Sequence, residues 1–96
     1  MPRRSEKYDE AYAAVRRVVN AHDPEGLIEM GAPEDEYDPE VTDLVRLVLR
    51  GDSLDRSDVV AAWARWFGDD KGFRRDRLRR VAAELQTLHE RFRSPN

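Results

Sequence analysis

Apolar positions along this chain recur at intervals of three and four, the spacing of one face of an α-helix. The first such stretch holds Tyr8, Ala11, Tyr12, Val15, Val18 and Val19, with Glu6, Lys7, Glu10, Arg16 and Arg17 on the other sides. Ser5 suits its N-cap, because a hydroxyl can accept from an N–H left unpaired in the first turn. Asn20 and Pro24 predict its end near residue 21. A second stripe, Val41, Leu44, Val45 and Val48, follows Asp38-Pro39-Glu40. That triplet predicts Asp38 as the cap, Pro39 at the first helical position and Glu40 beside the positive end of the helix dipole. Leu47 and Leu49 flank the stripe, and Gly51 stands where a helix can end.

A third helix is predicted from Asp55. Asp55 and Asp58 have the spacing of a capping box, and Leu54 and Val59 that of a hydrophobic staple. Val59, Val60, Trp63, Trp66 and Phe67 carry its apolar area, and Gly68 ends it. The last helix is predicted from about Phe73 to Phe92, with Leu78, Val81, Ala82, Leu85, Leu88 and Phe92 inward. No strand alternation or internal repeat interrupts the pattern.

Residues 22 to 43 break the periodicity. Asp23-Pro24 suits the start of a short helical turn, Leu27, Ile28 and Met30 are placed to plug the core, and Gly26 and Gly31 permit backbone angles that a side chain resists. The expected architecture is one all-α domain over residues 1–96. It is a compact bundle of four main helices with an ordered acidic loop between the first two. Residues 1–4 and 94–96 are expected as loose tails, and Asp69 to Gly72 as a polar connection.

Composition narrows the function classes. A chain of 96 residues buries roughly 60 to 70% of the surface its unfolded form exposes, enough for one modest core but not for a large buried active site beside it. The absence of cysteine removes disulfides, thiolate catalysis and cysteine-ligated zinc. No apolar run is long enough for a membrane span or a signal-peptide core, so a cytoplasmic location without membrane contact is expected. The formal net charge of −3 conceals a separation. Glu34, Asp35, Glu36, Asp38, Glu40 and Asp43 crowd one segment, while Lys71, Arg74, Arg75, Arg77, Arg79 and Arg80 crowd another.

The runs Asp23-Pro24-Glu25-Gly26-Leu27 and Gly31-Ala32-Pro33-Glu34-Asp35-Glu36-Tyr37-Asp38-Pro39-Glu40 resemble the YugE-like family of small bacterial domains of unknown function. The resemblance extends more weakly to Trp63, Trp66, Phe67 and Gly68, and the chain departs from it at His22, where the family has Trp. It implies a compact helical fold and supplies no activity. Similar loops in small proteins encoded near bacterial toxins add an immunity or inhibitor role as an association.

The acidic loop is the leading candidate surface. Glu34, Asp35, Glu36, Tyr37 and Asp38 can meet a basic protein partner, with Tyr37 as an aromatic anchor and the carboxylates steering association. The competing structural role makes Asp38 a cap, Glu40 a dipole partner and Tyr37 an inward-packing ring. The alternative function is nucleic-acid binding through Arg74, Arg75, Arg77 and Arg79, whose planar forks suit phosphate. No aromatic row or nucleic-acid motif accompanies them, and a solvated helix face explains them as well. Internal pairing between the two charged patches is a further expectation.

Pro33 and Pro39 stiffen the wrong positions for a calcium loop, and two histidines without spaced partners make a poor zinc site, so no metal or cofactor is expected. His22, beside Asp23, could be oriented as a base, and His89 falls at the edge of the last apolar stripe with a half-buried packing role. If Trp66 projects outward, it becomes the natural hot spot of an interface. The overall expectation is a non-catalytic interaction module, with a homodimer among the partners that a chain this small can form.

Overall fold

The computed structural model describes residues 4–68 and 72–93. The expected tails, apart from Arg4, and most of the polar connection at 69–72 lie outside the described residues. Among the described residues there are four helices and no strand: α1 (Arg4–His22), α2 (Asp38–Leu49), α3 (Arg56–Phe67) and α4 (Gly72–Arg93). No helix among them is long and apolar enough to cross a membrane. The helices α2 and α4 are central, each packing on the other three, while α1 and α3 do not meet.

The core follows the predicted stripes. Val41, Leu44, Val45 and Val48 of α2 are buried against Ala11, Val15 and Val19 of α1, Val59 and Trp63 of α3, and Leu78, Val81, Ala82 and Leu85 of α4 in one cluster. The α1 stripe is rotated from its expected position. Ala14 joins the buried set while Tyr8 is exposed and Tyr12 only half-buried. Tyr12 stands beside Asp38 and Thr42 of α2 and packs on the Tyr8 ring, centroids 6.1 Å apart. Ser5 lies one residue inside α1 rather than at its cap.

The helix ends combine agreement with correction. α3 starts at the predicted capping box, where the Asp58 carboxylate accepts the Asp55 N–H at 2.9 Å, and Leu54 and Val59 are both buried. That N–H first, then Arg50, hold the Asp58 carboxyl below its ordinary pKa, outweighing its desolvation. Gly68 ends α3 at a φ of 80°, a left-handed backbone that a side chain resists.

Asp38 does not cap α2. Tyr37 occupies the cap position without a side-chain hydrogen bond, Asp38 is the first helical residue, and its carboxylate pairs with Arg16 at 3.2 Å. Proline is tolerated in the first turn, so it does not prevent the start from shifting by one residue. Gly51 is not needed at the other end, because Arg50 leaves the helix in extended conformation. The connection between α2 and α3 is tied to α4 instead: Gln86 Nε2 donates to Leu54 O and His89 Nε2 to Arg50 O. A carbonyl only accepts, so His89 carries its proton on Nε2. At 2% exposure it is more deeply buried than expected.

Candidate functional site

The segment 23–37 is built on two polar side chains that sequence spacing does not connect. Asp23 follows α1 directly and takes a φ of 49°, the left-handed region that Asp and Asn tolerate better than most residues. Its N–H donates to Val19 O, closing α1, and its own carbonyl accepts from Gly26 N, opening the turn expected at Asp23-Pro24. Its carboxylate accepts three hydrogen bonds: from Tyr37 Oη at 2.6 Å, Ile28 N at 3.0 Å and Glu29 N at 2.9 Å. Burial alone raises the carboxyl pKa. The Tyr37 hydroxyl, the two amides and the charge of Arg77 together outweigh it, so the group lies below its ordinary value.

Tyr37 is the second anchor, and it corrects the expectation of an aromatic contact for a partner. It is fully buried. Its ring packs against Trp63, centroids 5.6 Å apart, and edge-on against Phe67. Its hydroxyl accepts from Glu25 N at 3.0 Å while donating to Asp23. Burial first, then the hydrogen bond to Asp23, push its pKa well above the ordinary phenol value, so it stays protonated.

Arg74 and Arg77 do not stand with Arg75 and Arg79 as an outward phosphate-binding group. Arg74 is 2% exposed, and its Nε lies 2.5 Å from Glu25 Oε2. Its fork also donates to Phe67 O at 3.2 Å and Gly68 O at 3.0 Å, closing the C-terminus of α3, where carbonyls are left without helical partners. Glu25 Oε2 accepts in addition from Trp63 Nε1 at 2.7 Å. Arg77 donates to Asp23 O at 2.8 Å and pairs with Glu29 at 2.9 Å. The internal pairing expected of the basic run is therefore real, but its partners are Glu25 and Glu29 rather than Glu34 to Glu36. Arg75 and Arg79 are exposed.

Glu34, Asp35 and Glu36 are exposed, and no side chain among the described residues forms an ion pair with them. The hydrogen bonds of this tip are made by its backbone: Glu34 O accepts from Asn20 Nδ2, Glu36 N donates to Pro33 O, and Asp35 O accepts from Asp38 N. Met30, expected in the core, is also at the surface, with 81% exposure, while Leu27 and Ile28 pack inward.

The acidic surface continues along α2. Glu40 is 7% exposed, and burial first, then the charges of Glu36, Asp43 and Asp38, raise its pKa. Asp43 accepts from Trp66 Nε1 at 2.7 Å, and that indole is 47% exposed. Trp66 is thus the outward aromatic of this face. Its position was legible only as a condition, because Trp63 and Trp66 lie three apart on the same helix and either could have been the buried one.

His22 forms a short contact with Glu84 of α4 and none with Asp23, so the expected orientation of a base by Asp23 is absent. No group of three potential metal ligands occurs among the described residues. No known protein-family model matches the chain, and neither a curated protein nor a solved structure matches it.

Proposed function

We propose that this chain is a non-catalytic protein-interaction module that meets a basic protein surface through residues 34–36, with Trp66 and Asp43 completing the face. The observation that carries the proposal is the tip itself: three consecutive exposed carboxylates with which no cation among the described residues forms an ion pair. Carboxylates that served the fold would be capped, buried or paired, as Asp23, Glu25 and Asp58 are. An exposed indole held by a carboxylate offers the flat, rigid contact that dominates many interfaces. Blocking a basic active surface of a bacterial protein, as immunity and inhibitor proteins do, is the role this face suits. The relation to the YugE-like domains belongs to the same proposal and rests on the loop motif.

The test is charge reversal. The triple change Glu34→Lys, Asp35→Lys and Glu36→Lys should abolish capture of the partner from the native host while the melting temperature stays within a degree or two, as surface changes away from structural contacts usually allow. Removing the charge of Glu36 also relieves Glu40. Unfolding of the triple variant, or capture of the same proteins by it, would make the tip scaffold.

A further inference from the structure

A second face of the molecule is apolar where the first is acidic, and its rim has the opposite sign. Arg56, Val60 and Ala64 lie four residues apart along α3 and therefore share one side of it. Opposite them α4 presents Arg75, Leu78 and Arg79. Between the two stripes runs a groove of about 270 Å³, continuous at Arg56 and Val60 with a shallower hollow along α3 that reaches Ala64. Val60 is 42% exposed in the middle of it. No carboxylate lines either part among the described residues. Arg56 and Arg79 are exposed at the rim, and no carboxylate among the described residues pairs with them.

We infer that this groove between α3 and α4 is a docking site for an acidic amphipathic helical segment of a partner protein. Its apolar side chains would lie on Val60 and Ala64, above the buried Leu78, and its carboxylates would face Arg56 and Arg79.

Two features of the groove choose the occupant. The rim of arginines in a chain of net charge −3 selects for negative charge, and a guanidinium fork matches a carboxylate with two parallel hydrogen bonds. The apolar floor selects for a side chain rather than a phosphate. A nucleic-acid backbone has nothing to place on Val60 or Ala64, whereas a helix with apolar residues at intervals of three and four fills a groove of this kind. On α3 the indole of Trp66 lies roughly 120° around the axis from Val60 at ideal geometry, so the groove and the acidic face can be occupied independently.

The probe is a synthetic helix of leucine and glutamate, its leucines spaced three and four apart, titrated into the full ¹⁵N-labelled chain. Binding should shift the amides of residues 56–64 and 75–79. Val60→Glu and Arg79→Glu should each weaken it by ~10-fold or more, as removal of an anchor does. Both residues are exposed, and unchanged melting of the two variants confirms that only the face has altered. The triple change at residues 34–36 should leave this titration as it is.

Several results would overturn the inference. One is an absence of shifts on this face. Another is equal binding of a leucine–lysine helix, or of polyglutamate without leucine. If a duplex oligonucleotide binds here, and Arg79→Glu but not Val60→Glu weakens it, the groove is a phosphate site. If the chain dimerises with concentration and Val60→Glu abolishes that, the occupant is a second copy.

Discussion

Tyr37 and Asp23 show how much one hydrogen bond can organise. Tyr37→Phe keeps the ring against Trp63 and removes the hydroxyl that joins the two ends of the segment. It also strands the Glu25 N–H and one bond of a buried carboxylate, so a loss of about 1–3 kcal/mol is expected in urea unfolding. The pH dependence has a definite sign. The carboxyl pKa of Asp23 is lower in the folded chain than in the unfolded one. Its contribution is therefore fully present above the unfolded value and declines as pH falls through the folded value. Asp23→Asn should flatten that part of the acid-unfolding profile, and a profile unchanged by the substitution would remove Asp23 from the account. Glu40 runs the other way, since its raised pKa makes its ionisation a cost to folding as pH rises through the carboxylate range. Of this, only the inward packing of Tyr37 was legible in the chain, as the competing structural role; its bond to Asp23 was not. The partners of Asp23 lie five, six and fourteen residues away, and Tyr37 sits between two acidic residues that make it look like surface.

The helices, by contrast, were readable because their signals are local. The apolar spacing of α2 and the Asp55–Asp58 pair of α3 each lie within one or two turns. Replacing Asp55 with Ala should cost about 1 kcal/mol, measured as a shift of the denaturation midpoint at constant slope. A neutral result would mean that the tie of Leu54 O to Gln86 is enough to start the helix. Where a local signal was ambiguous, a neighbour decided it. Proline can occupy either of the first two helical positions, and the pairing of Asp38 with Arg16 accompanies the later one. Tyr8 fits the α1 period as well as Ala14 does, and only packing against the other helices separates them. The candidate tip at residues 34–36 was legible for the same reason as the helices, being one contiguous run, whereas the role of Trp66 depended on Asp43, 23 residues away.

At the scale of the molecule, Glu25 and Arg74 join the segment after α1 to the junction of α3 and α4 across 49 residues of sequence. Both side chains are nearly sealed from water, at 10% and 3% exposure. Removing one partner leaves the other as an uncompensated buried charge, so Glu25→Gln and Arg74→Met should each cost about 3–5 kcal/mol. The double variant should cost clearly less than the sum, because each single change already includes the penalty of the stranded partner. Additive losses in urea unfolding would mean that the two groups do not act as a pair.

The backbone bonding of residues 34–36 has a further consequence. Every hydrogen bond described for this tip uses a carbonyl or amide of the main chain, which any residue other than proline would supply equally. What the tip displays is therefore uncoupled from what keeps it in place. A lineage, or an engineer, can rewrite those three side chains to suit a new target and inherit the same folded support unchanged.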